Sequence, residues 1–388
     1  MKVIFLIDTL FSQRDYNRFG IDRMLARNTQ IEFWDFLKCR RQKVNQENLA
    51  PNSSRINRIE FNSYSDLNSK SKDLINSFVI DLRVEGDSVF DKSWLQHKGA
   101  LIIQVDQGLL PASVNSIKII DYISYYARNM THNIFYRLMK QVIKKILLNF
   151  RQIFQINPNF KYDVKISGGA ASECGNVNLC IKTHSLDYNI FLDIGGESSS
   201  RGPIVFLDSG APDHPDYELL SIQPYCSSEL YYSSMNALFD RIEKDTGLRV
   251  IISAHPRFMD LEKISRSYNG REVVINKSAE MIRDAAIVLA HDTTSISFAI
   301  LWSKPLLLVT TNQLSKNCFF SMKSFSSLLG VDFVNSDNIP ANFDWFIEAK
   351  KPLKNYSYYK KMLIKNPKTP DKNSWDIFLD KASLLMTK

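Results

Sequence analysis

Short apolar runs, each ending in polar residues, recur along the chain and constrain its fold more than any other feature. Three lie in the first half, at Val3–Ile7, Phe78–Leu82 and Ala100–Val105. Longer segments of mixed polarity separate them, which is typical of strands alternating with helices. Because such strand–helix units place successive strands side by side, the pattern predicts a mainly parallel sheet.

The second half shows the same alternation more clearly. Helices are predicted over Tyr231–Thr246, with Gly247 as the C-cap, from Ser278, and over Ile296–Trp302. The apolar runs between them predict further strands at Ile204–Leu207, Arg249–Ser253, Ile287–Ala290 and Leu306–Thr310.

A chain of 388 residues is too long for one ordinary core and predicts two domains. The Gly- and Ser-rich stretch 195–203 is the best linker. The predicted fold class is therefore α/β, with two Rossmann-like domains and a cleft between them. We expect an N-terminal domain over 1–200, a C-terminal domain over 201–365 and a helical tail over 366–388.

The net charge of +8 suits a polyanionic partner: nucleic acid, anionic lipid or a phosphorylated small molecule. The basic residues are dispersed and no aromatic-plus-basic recognition motif occurs, so we expect no nucleic-acid partner. The helical pattern over Tyr122–Phe154 carries several cations. It is interpreted either as a domain-packing helix with a solvated basic face or as a peripheral contact with the inner membrane.

The five cysteines are scattered and odd in number, and none has metal-ligand spacing, so we expect free thiols in a reducing compartment. The apolar start of the chain stops at Asp8 without a small-residue cleavage site, which favours a first buried strand over a signal peptide. A cytoplasmic location is expected.

Two strand ends in the second half carry polar residues suited to binding an anion. His255 and Arg257 follow the predicted strand Arg249–Ser253, and His291 follows Ile287–Ala290. In open parallel sheets, ligands bind at the carboxyl ends of the strands. A histidine there can give a proton to a departing phosphate oxygen and an arginine can hold the phosphate through two hydrogen bonds.

Thr293, Thr294 and Ser295 come next, directly before a predicted helix. Helix N-termini present unpaired N–H groups, so hydroxyls there can complete a phosphate site. Simple N-capping is the alternative, although one residue would suffice for it. Glu280 starts the preceding helix and either binds ribose hydroxyls or compensates the helix dipole.

Gly168 and Gly169 follow a predicted strand over Tyr162–Ser167. They either let the backbone approach a donor ligand closely or supply a turn with positive φ.

The block from Ile251 to Thr311 resembles the nucleotide-binding domain of GT-B-type bacterial glycosyltransferases of surface polysaccharide assembly. It is most similar to sialyltransferase-like and Kdo-transferase-like enzymes, which carry an HP motif, here His255-Pro256, and a later Ser/Thr motif, here Thr293-Thr294-Ser295. The segments His184–Tyr188 and Phe206–Asp216 are similar to motifs of surface-carbohydrate biosynthesis proteins.

The resemblance implies a CMP-activated acidic sugar as donor, held by the C-terminal domain, and a glycan or lipid-linked acceptor on the N-terminal domain. It implies His255 near the leaving phosphate and the hydroxyls as phosphate ligands. No further cofactor and no metal are expected, because histidine, arginine and hydroxyls can stabilise the leaving group.

An inverting transfer needs a carboxylate as base. Asp208 ranks first, since it ends the first strand of the second domain and should face the cleft, and Asp106 ranks second. The resembled enzymes carry two acids and a glycine where this chain has Asp106-Gln107-Gly108. Three alternatives remain open: a UDP-sugar transferase, a nucleotide-sugar 2-epimerase, and a non-catalytic polysaccharide-assembly protein.

Overall fold

The computed structural model describes residues 1–40, 55–67, 74–83, 89–114, 160–214, 217, 223–258 and 260–386. Among the helices within these ranges, none combines the length and apolar character needed to cross a bilayer. The predicted helix Tyr122–Phe154 lies outside the described residues. The strands of the described residues form two parallel sheets.

The N-terminal sheet has seven strands in the order β3-β2-β1-β4-β5-β6-β7. Every pairing in it is parallel, which confirms the predicted strand arrangement. The strands are β1 (Lys2–Ile7), β2 (Gln30–Asp35), β3 (Ile56–Glu60), β4 (Ser77–Asp81), β5 (Leu101–Asp106), β6 (Val164–Ser167) and β7 (Leu179–Lys182).

The C-terminal sheet has six strands in the order β10-β9-β8-β11-β12-β13, again all parallel. They are β8 (Ile204–Leu207), β9 (Val250–Ala254), β10 (Val273–Ile275), β11 (Ile287–Ala290), β12 (Leu306–Thr310) and β13 (Val334–Asn335). Together the two sheets confirm the predicted class, α/β with two Rossmann-like domains.

Helices connect the strands of both sheets. In the N-terminal half they are Gln13–Arg18, Ile21–Ala26, Val89–His97 and Leu186–Ile194. In the C-terminal half they are Ser228–Thr246, Leu261–Ser267, Ser278–Asp284, Ile296–Leu301, Asn312–Asn317, Phe319–Leu329, Trp345–Lys350, Tyr356–Tyr359 and Ser374–Met386. The helix Ser228–Thr246 ends as predicted at Gly247, whose φ of 70° suits a residue without a Cβ.

The many Asn, Ser, Lys and Arg residues of the segment 40–72 predict irregular surface structure, and this prediction is wrong for Ile56–Glu60, which form β3. This strand forms the edge of the sheet and contains Asn57 and Arg58, so it shows no apolar run. The neighbouring β2 is buried but is interrupted in sequence by Glu32, whose carboxylate accepts hydrogen bonds from Lys2 and from Trp34 Nε1. Paired polar groups of this kind hide a strand from a search for apolar residues.

The last helix, Ser374–Met386, returns to the N-terminal sheet. Trp375 and Phe378 are buried in the same apolar cluster as the β1 side chains. Arg23 and Arg27 both form ion pairs with Asp376 on this helix. The C-terminal end of the chain therefore completes the core of the N-terminal half.

The prediction of five free cysteines is wrong for one pair. A disulfide joins Cys174 to Cys180, while Cys39, Cys226 and Cys318 are free. The chain turns back between β6 and β7 and brings the two Cα atoms to 5.5 Å, a separation that disulfides require. A spacing of six residues in sequence does not reveal such a turn.

Candidate active site

The carboxyl edge of the C-terminal sheet gathers residues from three strands. Leu207 of β8 lies opposite Ser253 of β9 on one side and Ala290 of β11 on the other. The residues that follow, among them Asp208, His255 and His291, therefore leave the sheet at one edge. The strands that carry the two histidines are not neighbours, because β8 lies between them.

His255 lies in the turn after β9 and contacts a second histidine. Its ring packs edge-to-face against that of His214, with 4.5 Å between the ring centroids. The backbone N–H of Arg257 donates to Nδ1 of His255 over 3.3 Å. In this arrangement Nδ1 is the acceptor, so the proton of the neutral ring lies on Nε2.

His214 was not assigned a role from sequence, although it lies in the Phe206–Asp216 motif segment. Gly210 lets this loop approach the turn of His255, because a Cβ there would lie 2.6 Å from the ring of Phe258 and because its φ is +71°. The loop of this motif thus packs the imidazole of His214 against that of His255.

Asp208 is buried rather than facing the cleft as predicted, with 4% of its surface exposed. Its Oδ1 accepts a hydrogen bond of 2.7 Å from the Gly210 N–H and closes the turn after β8. Burial raises the pKa of Asp208 to about 6, although the Gly210 N–H and the Tyr268 hydroxyl act to lower it. This carboxylate holds the loop that carries His214.

His291 is a core residue, contrary to the prediction that it binds the donor. Its Nδ1 lies 2.7 Å from the carbonyl of Val309 and its Nε2 lies 2.8 Å from the Tyr231 hydroxyl. Both ring nitrogens are thus used within the protein. Burial lowers its pKa to about 4, so the ring is neutral.

Thr293, Thr294 and Ser295 form the loop between β11 and the helix Ile296–Leu301. Ser295 occupies the N-cap position without capping through its side chain, and only Thr293 Oγ1 accepts from a backbone N–H, that of Ser295 at 3.4 Å. Thr294 is exposed. Within the described part of the chain, the hydroxyls of Thr294 and Ser295 make no hydrogen bond, so capping does not account for them.

Glu280 lies in the first turn of the helix Ser278–Asp284, and its side chain is half-buried. The helix start is held to β9, since the Ser278 and Ser253 hydroxyl oxygens are 2.7 Å apart. Glu280 is therefore positioned beside the strand end that carries His255.

Asp106 ends β5 on the N-terminal side. Its Oδ2 contacts Lys165 Nζ at 3.1 Å and accepts a hydrogen bond of 2.6 Å from the Ser172 hydroxyl. Its Oδ1 has no hydrogen-bond partner among the residues that the structure describes, and 29% of the side chain is exposed. One carboxylate oxygen of Asp106 is therefore fixed by two partners, and the other is without one within the described part of the chain.

Gln107 stands where the resembled enzymes carry a second acid, and its contacts explain the amide. Its side chain is buried, and its amide nitrogen donates to Thr183 Oγ1 at 3.1 Å and to the His184 carbonyl at 2.9 Å. A carboxylate has no hydrogen to offer these two acceptors. The glutamine therefore belongs to the packing of this loop.

Neither Gly168 nor Gly169 has positive φ, so the prediction of a turn with positive φ is wrong. A Cβ on Gly168 would lie 2.7 Å from the Cα of Gln107, and one on Gly169 would lie 2.5 Å from the carbonyl oxygen of Met362. Both glycines allow close backbone packing, Gly168 against the loop after β5 and Gly169 against the chain of the C-terminal half.

Three further charged residues lie between the halves and were not predicted. Asp187, in the helix Leu186–Ile194, lies close to Arg14 and Arg18 and to Ser297 of the other domain. Burial raises the pKa of Asp187, while Arg18, the Ser297 hydroxyl and Arg14 act to lower it. Arg14 and Arg18 are four residues apart after the first strand. This helical spacing is the sequence signal that could have identified the two arginines.

No protein-family model matches the sequence, and the search of curated proteins likewise found no match. Solved structures similar in fold include MurG of Acinetobacter baumannii, with TM-score 0.45 and 6% identity over 98% of this chain and 99% of that one. The Arabidopsis thaliana protein UGT89C1 complexed with UDP has TM-score 0.49 and 10% identity over 99% of both chains. The wall teichoic acid polymerase TagF has TM-score 0.48 and 10% identity over 100% of this chain and 89% of that one. These likenesses concern the course of the chain, and no residue role is taken from them.

Proposed function

We propose that this protein is an inverting, metal-independent glycosyltransferase. It moves an acidic sugar of the nonulosonic acid or Kdo type from a CMP-activated donor to a surface-glycan or lipid-linked acceptor. The observation that carries the proposal is the arrangement of His255, Thr294 and Ser295 at one sheet edge, with Asp106 at the carboxyl edge of the other sheet.

The leaving nucleotide is stabilised from the C-terminal side. His255 donates the Nε2 proton to the phosphate oxygen, and Arg257 with the hydroxyls of Thr293, Thr294 and Ser295 binds the growing negative charge. Glu280 holds the ribose hydroxyls. These groups supply the stabilisation that a metal would otherwise provide.

Asp106 takes the proton of the acceptor hydroxyl as that oxygen attacks the sugar. The contacts of its Oδ2 with Lys165 and Ser172 fix the carboxylate, and Oδ1 is the basic atom. Asp208 acts only by holding the loop of His214.

Nucleotide binding tests the donor site. Calorimetric titration with CMP, UDP and GDP should show binding that weakens about tenfold in Ser295→Ala and in His255→Ala, since each loses a hydrogen bond to a charged group. Tighter binding of UDP than of CMP would indicate that the donor is a UDP-sugar and not a CMP-sugar. Binding of none of the three would overturn the proposal.

The base is tested by isosteric substitutions. Asp106→Asn should lower the transfer rate by a factor of about 10² to 10⁴, because it removes the proton acceptor. Asp208→Asn keeps the acceptor for the Gly210 N–H and should leave the rate nearly unchanged. The opposite pattern would assign the base to Asp208, and loss only in Asp187→Asn would assign it to Asp187.

A further inference from the structure

Arg14 and Arg18 lie on one face of the helix Gln13–Arg18, which follows the carboxyl end of β1. Ser12 and Asp15 fix the start of this helix through a reciprocal capping box. Within the described ranges, neither guanidinium group forms a hydrogen bond or an ion pair. The helix thus presents two cations from a rigid position.

The next helix shows how this chain treats arginines with a structural role. Arg23 pairs with Asp193 and Asp376, both at 2.8 Å. Arg27 pairs with Asp376 and with Asp380. Arg14 and Arg18 have no such partners among the described residues, whereas Arg23 and Arg27 are each held by two carboxylates.

Arg14 and Arg18 lie beside residues of the proposed active site. Arg18 Nη2 is 3.9 Å from the position that a Cβ on Gly108 would occupy, so it lies over the loop that follows Asp106. Arg14 is close enough to Arg257 of the other domain for the two charges to repel. Arg14 keeps much of its surface exposed, yet nearby protein atoms lower its pKa by desolvation, and Arg18 and Arg257 lower it further.

Among the described residues, positive side chains outnumber negative ones around Arg14. Asp187 and Asp15 are the carboxylates that favour the charged form of Arg14, and Asp15 also serves the helix cap. The guanidinium groups of Arg14, Arg18 and Arg257 therefore come together beside these two carboxylates. Such an excess is stabilised when an anion binds.

We propose that Arg14 and Arg18 bind a phosphate group of the acceptor substrate. This inference rests on the proposed function, which places the acceptor on the N-terminal side. Two planar guanidinium groups one helical turn apart match the oxygens of a phosphate through paired hydrogen bonds. A phosphate held there would keep the acceptor hydroxyl within reach of Asp106.

Calorimetric titration of the full chain with inorganic pyrophosphate, after saturation with CMP or the nucleotide that binds best, tests the site. The double variant Arg14→Ala/Arg18→Ala should bind pyrophosphate at least about tenfold more weakly, since it loses charge-assisted hydrogen bonds. Its affinity for the nucleotide should stay within about twofold of the unmodified protein, because the donor phosphate is held from the other domain.

Lys244→Ala/Arg249→Ala is the matched control, because it removes two positive charges at the far end of the C-terminal sheet. It should leave pyrophosphate binding unchanged. Equal loss in both double variants, or no binding by the unmodified protein, would overturn the proposal. So would an equal loss of nucleotide affinity in the arginine variant, which would assign the pair to the donor.

The two proposals can fail separately. If no nucleotide binds, the proposed function fails, yet titration of the free protein with pyrophosphate still tests the arginines. Sedimentation with phosphatidylcholine vesicles, with and without a polyprenyl pyrophosphate, distinguishes the source. Arginine-dependent sedimentation assigns the phosphate to a lipid carrier, and binding of the soluble probe alone assigns it to a soluble glycan.

Discussion

His255 and His291 follow similar strands at the same sheet edge but are chemically different. His255 lies in a partly exposed turn beside His214, whereas His291 is 2% exposed and binds Val309 and Tyr231. The sequence pattern of apolar strand followed by histidine is the same in both. Burial decides which imidazole can serve a ligand and which one serves the core.

The buried state of His291 predicts a loss of stability in acid. Its pKa is lowered to about 4, so the unfolded chain binds the proton first as the pH falls below about 6.5. The neutral, buried His291 makes its full contribution to the free energy of unfolding above about pH 6.5. This contribution is lost as the pH falls towards 4, and the total loss is on the order of 3 kcal/mol.

Urea unfolding of the protein and of His291→Asn between pH 7 and pH 4 measures this effect. The difference in the free energy of unfolding between the two should shrink as the pH falls, since Asn cannot titrate. A difference that is constant over this range would contradict the burial of a neutral His291.

At the scale of elements, the backbone approach at the end of β6 fixes how the halves meet. Ala170 and Ala171 donate backbone hydrogen bonds to the carbonyls of Lys361 and Met362, at 3.1 and 2.9 Å. Gly169 makes this contact possible because it has no Cβ. Two glycines after a strand indicate that another group lies close to the backbone there. At Gly169 this group is the backbone of the C-terminal half.

Gly169→Ala should therefore destabilise the protein by about 1 to 3 kcal/mol, because its Cβ would lie 2.5 Å from a backbone oxygen. Gly108→Ala is the matched control, since its nearest neighbour would be the side chain of Arg18 at 3.9 Å. Thermal unfolding of both variants measures the effect. Equal unfolding midpoints would show that the backbone can move apart without cost.

The strands that sequence predicted best are the buried ones. β8, β11 and β12 match the predicted bounds, and every residue in them is buried. Edge and polar strands such as β3 and β13 were missed, because only one or neither of their faces meets the core and no continuous apolar run results.

At the scale of the whole molecule, the end of the chain supports the beginning. Trp375 is 1% exposed and packs where a Cβ on Gly20 would lie, 2.6 Å from its ring. Its Nε1 donates a hydrogen bond of 2.8 Å to the carbonyl oxygen of Arg18. The last helix thus stabilises the segment that carries the cleft arginines, although more than 350 residues separate them.

Trp375→Ala should lower the free energy of unfolding by about 3 to 5 kcal/mol, because it leaves a large cavity in the N-terminal core. Tyr358→Ala removes an aromatic ring that is 49% exposed and should have little effect. Urea unfolding followed by circular dichroism compares the two. Equal midpoints would mean that the last helix does not support the N-terminal half.

The candidate site was predictable in part. The sequence placed His255, Arg257, Thr293, Thr294 and Ser295 at strand ends, because a strand must end where apolar residues give way to polar ones. It could not show that His291 turns inward, that Asp208 closes a loop, or that Gly168 and Gly169 meet backbone. Each of these depends on neighbours distant in sequence.

By itself, the sequence determined the class of fold, since the spacing of apolar runs fixes which segments can be buried strands and how they are connected. Only the tertiary structure decided which polar groups reach the cleft. Arg14, Arg18 and Asp187 meet Ser297 and Arg257 there because the helix Leu186–Ile194 packs against the helix Ile296–Leu301 of the other half. A local pattern of residues does not encode contacts between segments so far apart.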